Sequence, residues 1–313
     1  MASIQPIDAS AARPRNPYQV RMNNRNLTVV AWVVAVLIST LPDIAFDQLV
    51  GAVPAQLLLA KIGLLLVMTL VSIIWRPLQS LRNFFLVMIA FFALTEVRPQ
   101  IDFTLPAFQR LFGNTVFDDR MQAEQTGKLV VTLLMIGFML LLGYRRRDFF
   151  LARGHMSAPI EPVRWLGFPK PEPWPRFGLQ WGFYIAGALA LFQYLSLRPT
   201  LDQLLLVLPV LPSILFYAAL NAFNEEMTYR SPMLTTLEPI GGSKQAMWMA
   251  AYFFGIAHYF GTPGGLLGGA LSIFMGWILG KGMVETRSLF WSWWIHFLAD
   301  IAIFTFMTAA LVG

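Results

Sequence analysis

The chain has 313 residues, of which 57% are hydrophobic and only 13% charged. A soluble domain carries about a quarter charged residues, so the composition excludes an ordinary water-soluble globule and points to a protein with several membrane spans. The net charge of +6 comes from basic residues in short stretches between apolar runs, where they report orientation rather than affinity for nucleic acid, and with no Cys there is no disulfide, thiol catalysis or thiolate metal site.

Residues 1–26 form a polar, basic tail unlike a cleavable signal peptide, and 27–42 reads as an uncleaved signal anchor. Nine apolar segments approach the ~20 residues that a crossing needs: 27–42, 55–75, 83–97, 128–144, 178–196, 204–236, 245–260, 264–281 and 288–312. The expected fold is therefore all-α, a polytopic transmembrane helical bundle of about 8–9 membrane helices, with the short first and third segments tilted or re-entrant. The chain divides into the tail, N-terminal membrane helices over 27–144, a linker over 145–177 and a C-terminal membrane core over 178–313. Six prolines keep the linker from forming a continuous helix, and its basic residues with Trp165 and Trp174 suit a cytoplasmic segment that touches lipid headgroups. His155 in this linker is expected to be solvated.

The basic residues Arg13, Arg15, Arg21, Arg25, Arg76, Arg82, Arg145, Arg146, Arg147, Lys244, Lys281 and Arg287 fall on one side of this arrangement, which puts the N-terminus in the cytoplasm. Stretch 98–127, with three basic and four acidic residues, then lies on the other side. A multi-pass protein of a prokaryotic inner membrane is the expected setting. Asp43, Lys61, Glu96 and Lys128 lie near segment ends and are expected to snorkel or face the interface.

The apolar run 204–223 leads into Glu225 and Glu226, with Arg230 one turn beyond. A charge at the centre of a membrane helix costs roughly 2.5–3.5 kcal/mol, so such residues pair or work. Glu226 and Arg230 stand at i,i+4 and can pair, whereas Glu225 is rotated about 100° away and is left for chemistry. Two histidines also lie in apolar helices, each with a partner one turn away: Phe254 before His258, and Asp300 after His296. With a turn at Gly241, Glu225 and His258 stand almost equally far along the two arms, which sets them at one depth. His296 and Asp300 follow the next turn on that side, near Val284, by a comparable stretch of chain. Glu225, Glu226, Arg230, His258, His296 and Asp300 are therefore expected to meet near mid-membrane, as in a site that activates water. Gly264, Gly268, Ser272, Gly276 and Gly280 recur once per helical turn and form a small-residue face for close helix packing at the centre of the C-terminal bundle.

The three motifs, Glu225-Glu226-x-x-x-Arg230, Phe254-x-x-x-His258 and His296-x-x-x-Asp300, appear in order on separate apolar segments. In this the stretch 178–313 resembles the CAAX protease and bacteriocin-processing (CPBP, or Abi) family of intramembrane glutamic endopeptidases. The resemblance implies hydrolysis of a peptide bond in a membrane-associated protein or peptide, with no cofactor and no nucleic-acid partner. It implies that Glu225 is the general base, that His258 orients and polarises the water, and that Glu226 with Arg230 holds the helix geometry. His296 and Asp300 would stabilise the oxyanion or orient the water. An ionised Asp300 cannot donate to an oxyanion, so it is expected to accept from His296 and orient it.

Other chemistries share these residues. A zinc peptidase would use Glu225, His258 and His296 as metal ligands, although the sequence has no H-E-x-x-H. A proton-coupled transporter would use the cluster as a relay, but the two halves show no internal repeat. A non-catalytic membrane scaffold or immunity protein would keep the motif without the reaction.

Overall fold

A computed structural model describes residues 24–100, 107, 110, 111 and 115–311. Most of the expected basic N-terminal tail, with Arg13, Arg15 and Arg21, and most of 101–114 lie outside the described residues. Those described are mostly helical, with no β-strand among them and two isolated bridges, Pro159–Pro173 and Val163–Phe168, within the linker.

The N-terminal part begins with α1 (Asn24–Ile38) and α2 (Leu41–Val50), bent by 43° as one broken span. Pro42 accounts for the break, because it has no N–H for the Ile38 carbonyl and its ring crowds that turn. In α3 (Gln56–Ile74), Lys61 does not snorkel: its ammonium is buried and pairs with Asp43 of α2. α4 (Arg82–Val97) is continued by 3-10 turns at each end into an apolar stretch of 25 residues over 76–100. This is longer than its sequence segment suggested and enough to cross.

α5 (Val116–Leu141) starts about three turns before the apolar segment expected at 128. A reciprocal cap between Thr115 and Asp118 fixes that start. The first half of α5 escapes a hydropathy reading because Asp118, Gln122, Gln125 and Thr126 are polar, yet all four are buried against other helices. Lys128 consequently sits mid-helix, not at an end.

The segment 145–173 docks onto the bundle. Phe149, Phe150, Ile160, Val163 and Phe168 are buried, and Trp174 at its end is fully buried with its indole N–H on Glu285 at 2.9 Å. Lys281 donates to the Glu161 carbonyl at 2.9 Å, and Trp291 to the Met156 carbonyl at 2.7 Å. Trp165 and His155 face outward.

The C-terminal core consists of α6 (Trp174–Leu197), α7 (Leu211–Glu225), a π-helical turn (Glu226–Arg230), α8 (Ser231–Ala257), α9 (Gly265–Thr286) and α10 (Phe290–Leu311). α8 is broken at Gly242, whose φ of 77° and ψ of 168° suit a residue without Cβ. The chain folds back there, since the Arg230 guanidinium, before the break, stacks on Phe254, after it, at 4.5 Å. The stretch 201–260 is therefore a helical hairpin. Six helices among the described residues are long and apolar enough to cross a membrane, or seven with the bent pair, when that hairpin counts once. The hairpin has two arms, and the expected total of about 8–9 is approximate against this count. The protein is an all-helical integral membrane protein.

α9 packs along α8, and α10 along α6 and α7, while α5 brings the N-terminal half against α7. The small-residue face of α9 makes the first contact possible. A Cβ on Gly276 would lie 3.2 Å from the Ala251 Cα, and one on Gly255 of α8 only 2.3 Å from the Ile273 backbone nitrogen.

Candidate functional site

The site lies where α7 passes into α8. Glu226–Arg230 form the π turn, a feature that often marks functional positions. Pro232 gives it a local cause: it cannot donate to the Thr228 carbonyl, so the α-helical ladder cannot run through this point.

Below the site Glu226 and Arg230 are completely buried and pair with each other. Glu226 also accepts from the Ser292 hydroxyl and, at 2.8 Å, from Nδ1 of His296. The guanidinium keeps Nε and Nη2 without a hydrogen-bond partner, and its face lies on the Phe254 ring. Gly276 leaves room for it, because a Cβ there would stand 3.4 Å from Arg230 Nη2.

Glu225 points the other way, into a cavity of about 600 Å³. Lys128 Nζ lies 3.1 Å from its Oε1, and His296 Nε2 is 3.6 Å from its Oε2. His258 stands across the same cavity, in the 3-10 turn that ends the second arm of the hairpin. Its Nδ1 is 2.9 Å from the Phe254 carbonyl, an acceptor, so Nδ1 carries the proton and Nε2 is left to the cavity. Asp300 is 3.8 Å from His296 Nε2, beyond hydrogen-bond reach, and accepts instead from Asn221 Nδ2 at 2.9 Å. The orienting acceptor on His296 is thus Glu226, where the sequence reading placed Asp300.

All the expected residues converge: Glu225, His258, His296, Asp300 and Phe254 line the cavity, with Glu226 and Arg230 packed behind it. The cavity wall away from this polar end is largely apolar, built from α6 (Trp181, Ile185, Leu189), α9 (Leu271, Phe274) and α10 (Phe304), with Arg120 of α5 also lining it. A smaller cavity of about 180 Å³ meets Glu225 and Lys128 from the side of Thr95, Arg98 and Tyr229.

Several polar side chains of the site were not assigned to it from the sequence. Lys128 and Gln125 come from α5, where Gln125 Nε2 donates to Asn221 Oδ1 at 2.9 Å. Asn221 and Ser292 lie one helical turn before Glu225 and His296, so polar side chains at i−4 in apolar helices were the available signal. Among the described residues no group of three or more His, Asp or Glu side chains is arranged to hold a metal ion.

Residues 207–302 match the family model described as Type II CAAX prenyl endopeptidase Rce1-like. Comparison with curated proteins and with solved structures finds no match. The matched stretch holds Glu225, Glu226, Arg230, Phe254, His258, His296 and Asp300, and leaves out Gln125 and Lys128. Over residues 207–302 the chain therefore carries a Rce1-like type II CAAX prenyl endopeptidase domain, of the CPBP or Abi family of membrane proteases.

Proposed function

We propose that the protein is an intramembrane endopeptidase that hydrolyses a peptide bond of a membrane-associated protein or peptide, with water activated by Glu225 and His258. The observation that carries this reading is the shared cavity: Glu225 Oε2 and the acceptor nitrogen of His258 border one space, walled by apolar side chains that suit a lipid-embedded substrate. Water held between them gives its proton to Glu225 and attacks the peptide carbonyl, and Glu225 returns the proton to the leaving amine. His296, as the imidazolium, donates Nδ1–H to Glu226 and presents Nε2–H to the same space, where negative charge develops on the carbonyl oxygen. Asp300 holds the amide of Asn221 at the edge of the site.

The reaction proposed uses no metal, so a chelator leaves the activity intact. The substrate is a membrane protein or peptide, with the N-terminus of the enzyme in the cytoplasm and a prokaryotic inner membrane as its setting. The test compares protein termini in membranes from cells carrying wild-type or Glu225→Gln protein. New termini with the wild type alone are expected; identical termini, with the variant still restoring the wild-type phenotype, would overturn the reading in favour of a scaffold or transporter.

A further inference from the structure

The matched domain leaves one partly buried cation unexplained. Lys128 lies midway along α5 and well outside 207–302. An ammonium has three hydrogens to donate, and Lys128 Nζ has three acceptors: Asn221 Oδ1 at 2.8 Å, Glu124 Oε1 at 2.9 Å and Glu225 Oε1 at 3.1 Å. Every donor is used. A lysine satisfied in this way is held in place and does not snorkel to the surface. Glu124 anchors it one turn back on its own helix, while Asn221 and Glu225 sit one turn apart on the facing helix.

Two consequences reach the reacting groups. Lys128 occupies Oε1 of Glu225, so Oε2 is the oxygen turned to His296 and available to the water. Lys128 and Gln125 both donate to Oδ1 of Asn221, which forces its NH2 group toward Asp300. The cation also stands against the negative charge of Glu225, which otherwise adds to that of Asp300 in a membrane interior where uncompensated charge is costly.

We infer that Lys128 is a positioning residue supplied to the site by the N-terminal helices: it fixes which oxygen of Glu225 serves as base and completes a site that the matched domain alone does not hold. The inference rests on the reading of Glu225 as the base.

The experiment uses the full-length protein in a lipid bilayer, with a peptide spanning a cleavage site found by the comparison of termini. Lys128→Ala is expected to lower kcat about 100-fold with little change in KM, the order of loss that a misplaced reacting group causes. Ethylammonium ion, which brings back an N–H cation through the cavity, is expected to restore activity in a saturable manner. Tetramethylammonium, with the same charge and no N–H, is expected not to. Lys128→Arg retains more activity than Lys128→Met. Retention of more than about a third of the wild-type kcat by Lys128→Ala, or no rescue by ethylammonium, would overturn the inference.

A second arm needs no activity. Lys128→Met is expected to lower Tm in the wild-type background and less in a Glu225→Gln background, where only Glu124 remains of the two carboxylates it pairs with. Equal losses in the two backgrounds would also overturn it. Failure of the protease reading looks different: termini unchanged between wild type and Glu225→Gln, with the Tm coupling still present.

Discussion

Replacing Arg230 with methionine tests how much of the C-terminal core depends on the ion pair beneath the site. Arg230 and Glu226 are both fully buried, so the variant leaves a carboxylate without its cation. Breaking a buried pair from one side costs about 3–5 kcal/mol, because the remaining charge is uncompensated. Two donors stay with Glu226, the Ser292 hydroxyl and His296 Nδ1, and they place the expected loss near the lower end, about 3 kcal/mol. Methionine keeps most of the side-chain length and lies against the Phe254 ring, so packing adds little. The double variant Glu226→Gln/Arg230→Met removes both charges, keeps an acceptor for His296 and offers its NH2 to the Ser292 hydroxyl, which can accept; it should recover about 2 kcal/mol of the loss. Unfolding of both variants in one lipid or detergent system gives the answer, with the single variant shifted down by about 6–12 °C at about 2–4 °C per kcal/mol. A single variant that loses under about 1 kcal/mol, or a double that loses as much as the single, would refute the assignment of this pair as a compensated buried charge.

Other positions give separate tests. Asp300→Asn keeps an acceptor for Asn221 Nδ2 and should retain substantial peptidase activity, whereas Asp300→Leu leaves that amide unpaired and should lose about tenfold or more; equal loss in both would sink the role given to Asp300. Gly255→Val places its Cβ 2.3 Å from the Ile273 backbone and should cost more than about 3 kcal/mol, while Gly276→Ala, at 3.2 Å, should cost less; unfolding measurements that reverse this order would contradict the close approach of α8 and α9. Lys244 donates to Glu161 at 2.9 Å and holds its carboxyl below the usual carboxylate range. Stability from that pair is complete at neutral pH and fades as the pH falls through the lowered value. Both groups are exposed, so Lys244→Met should cost less than about 1 kcal/mol at neutral pH and low salt, and a larger loss would show that the strap over 145–173 depends on it.

The residues that the sequence made legible are those whose presence in an apolar helix is costly. Glu225, Glu226, Arg230, His296 and Asp300 stood out because apolar residues surround them, and the helical hairpin at Gly241–Gly242 set His258 at their depth. Hydropathy also marked the crossings, since each must cover the same thickness of hydrocarbon. What it could not mark was a helix whose polar face is buried in protein. α5 carries Asp118, Gln122, Gln125 and Thr126 inward, so its first half read as a loop and Lys128 read as an end residue. The π turn at 226–230 is hidden for a different reason: Pro232 announces that the ladder breaks, but not whether the chain kinks, unwinds or takes in an extra residue.

The same logic explains why a motif confined to 207–302 describes the site only in part. A helical spacing such as Ser292–His296–Asp300 is local, and the helix geometry alone puts those side chains on one face. The pairing of Lys128 with Glu225 spans 97 positions and exists only once α5 lies against α7. No local pattern encodes it. The charge balance does: Glu225, with Glu226 already committed to Arg230, calls for a second cation, and in this structure Lys128 at the middle of α5 supplies it. Counting the compensating charges around a buried carboxylate therefore leads to a contribution from the N-terminal helices that a spacing motif does not contain.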